Sequence, residues 1–177
     1  MSEGLLTEKN LPTCCSRLLQ PSAIVIALFA LCSTLHSGEN SNLKWHDFND
    51  GFAEAKKTNK KILIDVYTDW CGWCKRMDSQ TYADKQVAKY LGERYVLVKL
   101  NAESARKLFY KDKELTEREF STSFGISGYP ATLFLKSNGE AITIYPGFAD
   151  AKRFMDVASF IAEDHYLTKK FDEYVSS

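Results

Sequence analysis

The sequence predicts an α/β domain: a mixed central β-sheet flanked by helices on both faces. Three observations carry this. "ILIDVYT", Ile62–Thr68, and "YVLVKL", Tyr95–Leu100, are β-branched apolar runs that read as buried strands. Segments with helical spacing alternate with these runs, which is the pattern of βαβ units and a parallel core. Finally, "ATLFL", Ala131–Leu135, and "AITIYP", Ala141–Pro146, flank "KSNG", Lys136–Gly139. Asn-Gly between two apolar runs signals a hairpin, so the sheet gains an antiparallel edge.

The remaining elements follow in chain order. Leu43–His46 reads as a short strand. Asp50–Thr58 has Phe52, Ala55 and Lys56 at helical spacing and predicts a helix. A further helix starts near Cys71 and runs through Met77. Lys85–Glu93 places Val87, Tyr90 and Leu91 on one helical face. Residues 102–124 are charged and helical in pattern, so their charges read as a solvated helix face. Within them, Thr116 and Glu119 form a capping box that opens a helix burying Phe120 and Phe124. Asp150 caps a last long helix, with Phe154, Val157, Ala158 and Ile161 on one face. The tail "YLTKKFDEYVSS" adds a short helix.

Length and composition bound the organisation. A chain of 177 residues suits one domain plus an extension. A hydrophobic share of 45% supports a real core. Lys plus Arg and Asp plus Glu number 23 each, so no net charge draws the chain to nucleic acid. Residues Ala23–Leu35, "AIVIALFALCSTL", form an apolar run too short for a membrane span and preceded by Lys9 and Arg17. Residues 1–37 therefore read as an export signal or membrane anchor, 38–42 as a linker, 43–163 as the folded domain and 164–177 as the tail. Lipidation at Cys32 fits poorly, because Leu31 stands where a small residue is needed. The expected location is outside the cytosol, periplasmic or extracytoplasmic, free or tethered through the N-terminus. Cleavage after Cys32 would leave Cys71 and Cys74 as the only cysteines, in a compartment that permits disulfide chemistry.

The chemistry concentrates in "DWCGWCK", Asp69–Lys75. A Cys-x-x-Cys pair alone fits redox chemistry, a metal or a cross-link. Structural zinc wants four ligands, and His36, His46 and His165 are all remote from Cys71 in sequence, so no metal is expected. Placement after a buried strand, in a βαβ context, favours redox chemistry. Cys71 would sit at a helix N-terminus, where unpaired N–H groups stabilise a thiolate, and would be the attacking and more exposed sulfur. Cys74, one turn on, would resolve the mixed disulfide, and the spacing suits a Cys71–Cys74 disulfide. Asp65 interrupts an apolar strand, where a charge is costly unless it has a use.

"ILIDVYTDWCGWCK", "YVLVKLN" and "GISGYPATLFL" together resemble the thioredoxin-like oxidoreductases, over roughly Leu43 to Ile161. The stretch "DVYTDWCGWCKRMDSQTYADKQVAKYL" is similar to one branch in particular, the periplasmic C-terminal domain of transmembrane thiol-reductant conductors and related exported proteins. The resemblance implies a thioredoxin-like fold and a thiol–disulfide oxidoreductase with no bound cofactor, read as a monomer. It implies that Asp65 is a buried carboxylate accepting the Cys74 proton and that Lys99 pairs with it. It implies a cis peptide before Pro130, which would present the Tyr129 backbone to a substrate strand. Trp70, Gly72 and Trp73 would complete the substrate-binding rim. Gly72-Trp73 departs from the Gly-Pro of thioredoxin itself, and residues 102–124 form a longer segment than its counterpart there. Protein disulfides or thiols are the implied substrates, and a membrane electron-donor protein the implied partner. Two other readings stay open: a non-catalytic binding or chaperone module, and a dedicated reductant in cytochrome c maturation.

Overall fold

The computed structural model describes residues 43–176. The expected export signal, the linker and Cys14, Cys15 and Cys32 lie outside the described residues. Five strands form one sheet: β1 (Trp45–His46), β2 (Lys61–Tyr67), β3 (Tyr95–Asn101), β6 (Ala131–Leu135) and β7 (Ala141–Pro146), in the order β1-β3-β2-β6-β7. β1, β3 and β2 run parallel, while β6 and β7 are antiparallel to their neighbours. The predicted mixed sheet is thus present.

The alternation of β2 divides the core. Ile62, Ile64 and Val66 point to one face, where they meet Phe48 and Ala55 of α1 (Phe48–Thr58) and Phe120 of α4 (Glu117–Ser123). Leu63 points to the other face. There it joins Met77 of α2 (Gly72–Met77), Val87 and Leu91 of α3 (Lys85–Arg94), and Phe154, Val157 and Ile161 of α5 (Ala151–Ala162). The period of two along the strand puts Asp65 on the Leu63 side. The Asp65 carboxylate is thereby aimed at the layer that contains α2. Each of these large side chains contributes roughly 1.5–3 kcal/mol on burial.

Two expectations need correction. The helical reading of 102–116 fails: β4 (Lys107–Tyr110) and β5 (Lys113–Thr116) form an antiparallel hairpin before α4. Lys111 and Asp112 turn it, with φ of 49° and 64°. Positive φ at both central residues is what a two-residue hairpin turn needs, and Lys-Asp supplies it without the usual Gly or Asn. Leu108, 1% exposed, faces Leu115 across the ladder and enters the core beside Phe120. Burial of Leu108 outweighs the helix propensity of the surrounding Lys and Glu. The capping box at Thr116 and Glu119 does form, and Phe120 is fully buried while Phe124 is half-buried.

The second correction concerns α1. Its buried face is Phe48, Gly51 and Ala55, and Lys56 is exposed. The helix starts earlier than Asp50; Ala55 is buried as its spacing suggested, Phe52 packs half-buried on the core, and only Lys56 lies outside. Gly51 packs so closely on β3 that a Cβ built there would overlap Val98 Cγ2. At the other end of the sheet, Gly139 has φ +85° in the β6–β7 turn, where Lys136 N donates to Glu140 O at 2.8 Å. α6 (Phe171–Val175) follows a short 3-10 turn and packs on α5 through Phe171, Tyr174 and Phe160.

Candidate active site

Parallel pairing sets the centre of the site. Asp65 on β2 and Lys99 on β3 are register partners, so their side chains leave the sheet on the same face. Lys99 Nζ lies 2.7 Å from Asp65 Oδ2. The Tyr82 hydroxyl donates to Asp65 Oδ1 at 3.3 Å. Asp65 is 2% exposed, and burial pushes its carboxyl above the ordinary range while Lys99 pulls the other way. Burial alone would pull the Lys99 ammonium down, but Asp65 and Asp78 outweigh it and hold its pKa above the usual lysine value. The rings of Trp45, Tyr67 and Tyr82 stand 4.9, 5.3 and 5.6 Å from Lys99 Nζ, which adds cation–π attraction. Tyr82 is held neutral, its pKa raised well above normal by burial and then by Asp65.

The β2 strand ends at Tyr67, and a short turn delivers Cys71 as the N-cap of α2. Its backbone is extended there, and its Sγ accepts a hydrogen bond from Cys74 N at 3.0 Å. That donor is one of the N–H groups a helix start leaves without an intrahelical partner. Cys71 and Cys74 are joined in a disulfide, with Cα atoms 5.3 Å apart. The expectation that Cys71 is the more exposed sulfur is corrected: Cys71 is 3% and Cys74 4% exposed. In the oxidised pair both residues are buried to the same degree. After Met77 the helix widens into a π-helical turn, Asp78–Tyr82. This turn brings Asp78 Oδ1 onto Lys99 Nζ and Tyr82 onto Asp65.

Around the pair lies an aromatic rim. Trp70 is 66% exposed, donates from Nε1 to Glu103 Oε1 at 3.0 Å, and meets Tyr129 edge-on at 6.1 Å. Trp73 is 53% exposed and leans on Phe148 at 5.4 Å. Gly72 is exposed, and a Cβ there would meet no atom within 4 Å. The Tyr129–Pro130 peptide is cis, Pro130 is buried, and its carbonyl accepts from Gly147 N at 2.8 Å. Beside Tyr129 lies a cleft of about 420 Å³, lined in part by Ile126, Gly128, Ile144 and Gly147. Among the described residues, no cluster of three or more His, Cys, Asp or Glu is arranged to hold a metal.

The disulfide thus sits at the start of the helix that follows β2, the strand that also carries Asp65. The family model of the thioredoxin-like domain matches residues 48–162. The chain belongs to the thioredoxin-like family. Similar proteins include the thiol:disulfide interchange protein DsbD of Photorhabdus laumondii, 32% identical over 102 residues, which are 56% of this chain and 16% of that protein. DsbD of Actinobacillus pleuropneumoniae is 29% identical over 129 residues, 68% of this chain and 20% of that protein. The chain therefore spans a fifth or less of these curated relatives. Among solved structures, a thioredoxin-fold protein from Helicobacter pylori superposes with a TM-score of 0.56 at 20% identity, over 67% of this chain and 79% of that one. A thioredoxin from Thermus thermophilus gives 0.55 at 17% identity, over 67% and 86%. These structural likenesses show the fold.

Within this thioredoxin-like domain the structure joins Cys71 to Cys74, pairs Asp65 with Lys99, and sets Trp70 edge-on to Tyr129. Sequence reasoning missed Asp78, Tyr82 and Trp45. Asp78 lies one helical turn past Cys74, a spacing that would have flagged it. Tyr82 and Trp45 are assembled by the fold and left no local signal. Arg76, Phe148 and Glu103 on the rim were missed for the same reason.

Proposed function

We propose that this chain is an exported thiol–disulfide oxidoreductase that reduces or isomerises protein disulfides with Cys71-Gly72-Trp73-Cys74. The observation that supports this most directly is the Cys71–Cys74 disulfide at the N-cap of α2, backed by the Asp65–Lys99 pair. In the reduced form, the Cys71 thiolate attacks one sulfur of a substrate disulfide. An S–S bond forms between Cys71 and the substrate, and the other substrate sulfur leaves as a thiolate. Cys74 then loses its proton to Asp65 and attacks Cys71, releasing the second substrate thiolate and closing the Cys71–Cys74 bond. Two electrons pass to the substrate, and the enzyme dithiol becomes a disulfide.

Asp65 suits the proton step because burial raises its pKa toward that of a useful base, while Lys99 stabilises its charged form. The Tyr129 backbone and the Trp70, Gly72 and Trp73 rim would hold the substrate strand. The next cycle requires a dithiol donor. The thiol:disulfide interchange named for the DsbD relatives supports a dithiol partner, and the resemblance implies that it is a membrane electron-donor protein outside the cytosol. The domain works as a monomer and needs no cofactor beyond its cysteines.

The test is insulin reduction driven by dithiothreitol. The native chain should accelerate it, and Cys71→Ser should abolish the acceleration. Activity retained in C71S would overturn the reading. The reduction potential then sets direction: about −270 mV marks a reductase of the thioredoxin type, and about −120 mV an oxidant.

A further inference from the structure

Arg76 lies two residues past Cys74 on the exposed side of α2. Its guanidinium carbon stands 5.0 Å from the Trp73 ring and 5.5 Å from the Phe148 ring. Its Nε donates to Gln80 Oε1 at 2.9 Å. Its terminal nitrogens meet no carboxylate: among the described residues neither Arg76 nor the adjacent Lys75 forms an ion pair. Two acids, one close in sequence to Arg76 and one to Phe148, are otherwise engaged. Asp78 binds Lys99, and Asp150 caps α5 through Arg153 N. Around Trp70 the charges differ: exposed Asp69 precedes it in the chain, exposed Glu103 accepts from its Nε1, and Arg118 donates to the Glu103 carbonyl.

An uncompensated guanidinium held by two aromatic rings is a preformed carboxylate receptor. Cation–π attraction to both rings and the Nε bond to Gln80 hold the group, and its two terminal nitrogens can give a carboxylate two parallel N–H···O bonds. We propose that Arg76, with Trp73 and Phe148, is a specificity subsite for an Asp or Glu side chain close to the cysteine under attack. The preferred substrate is then a polypeptide disulfide with an acidic residue beside its cysteine. This rests on the oxidoreductase reading and adds the substrate class to it.

The test uses two peptide disulfides that differ only in Glu or Lys next to one cysteine. Their kcat/KM is measured with dithiothreitol as donor, at low ionic strength, beside insulin as a general substrate. The native chain should favour the Glu peptide by about fivefold, the upper range for an exposed ion pair. The ratio should collapse toward one in Arg76→Gln, invert in Arg76→Glu, fall partway in Arg76→Lys, which keeps the charge and loses the fork, and shrink in high salt. Because the readout is a ratio within each variant, loss of packing around Trp73 does not mimic it. Equal rates for the two peptides in the native chain, or a preference unchanged in R76Q, would overturn the subsite and leave the oxidoreductase reading intact. A preference that follows Lys75→Gln instead of R76Q would also overturn it. Failure on both peptides and on insulin would bring down the oxidoreductase reading, and the subsite with it.

Discussion

Lys99 Nζ stands 2.7 Å from Asp65 Oδ2, across neighbouring parallel strands in register. The carboxylate is 2% exposed and the lysine side chain 24%. Neutralising one member of such a pair strands the other charge. Lys99→Met should destabilise the oxidised protein by about 2–3 kcal/mol at pH 7.5, the lower part of the range because Lys99 still reaches solvent. Urea unfolding would show a lower midpoint. The deficit should shrink at pH 5, where the stranded Asp65 takes up a proton. An unchanged midpoint would contradict the pairing.

The titration of Asp65 has a defined sign. Burial raises its pKa above the ordinary 3.8, despite the pull of Lys99. The folded chain thus keeps this proton to higher pH than the unfolded chain. The stability it contributes is fully present below 3.8 and is lost as pH rises through the folded-state value. Asp65→Asn removes the dependence, so the variant should gain on the native chain as pH rises from acid to neutral. Parallel pH–urea series on the two proteins would measure it, and a constant difference between them would refute the shift.

The resolving step should depend on both Cys74 and Asp65. Cys74→Ser should accumulate a covalent adduct between Cys71 and a substrate cysteine, visible by intact mass. In Asp65→Asn the same adduct should appear transiently, with closure slowed about 10²-fold, the usual lower range for loss of a general base. Closure at the native rate would remove Asp65 from the proton path.

Gly51 offers a test in which local propensity and packing point in opposite directions. Alanine normally stabilises a helix interior by roughly 0.5–1 kcal/mol over glycine. Here the new methyl group would overlap Val98 Cγ2 on β3. Gly51→Ala should therefore destabilise by about 1–3 kcal/mol. Adding Val98→Ala makes room for the methyl, so the double variant should be more stable than the sum of the singles predicts. Strict additivity in chemical denaturation would count against the close approach.

At Thr116 both halves of a capping box are in place, with Glu119 N donating to Thr116 Oγ1 at 3.1 Å and Thr116 N to Glu119 Oε2 at 2.7 Å. Thr116→Ala should cost about 1 kcal/mol. Thr116→Ser should cost much less, since it keeps the acceptor oxygen. Equal losses in thermal unfolding would assign the effect to packing instead.

Several elements were legible because their signals are local. Cys71 and Cys74 follow a buried strand in sequence, Asn138-Gly139 marks its own turn, and Thr116-Glu119 caps its own helix. The β4–β5 hairpin was illegible for the opposite reason. Its turn is Lys111-Asp112, which carries no glycine, and its strands are rich in Lys and Glu, which favour helices. Burial of Leu108, with Tyr110 and Leu115 packed on the same core, makes the strand pairing the lower state. The face of α1 was misjudged because Gly51, with no side chain, is silent in a hydrophobic pattern yet sits at the tightest contact.

By itself, then, the sequence determined the α/β class, the order of the main strands, the cysteine pair at a helix start and an unusual acid in a buried strand. Each of these rests on residues near one another in the chain, where periodicity and spacing act. Tertiary structure decided the rest. It set Lys99 between Asp65 and Asp78, brought the Tyr82 hydroxyl to Asp65, buried both cysteines, and gathered Trp73, Phe148 and Arg76 on one rim. Those relationships depend on strand register and on the packing of helices distant in sequence, and no local pattern encodes them.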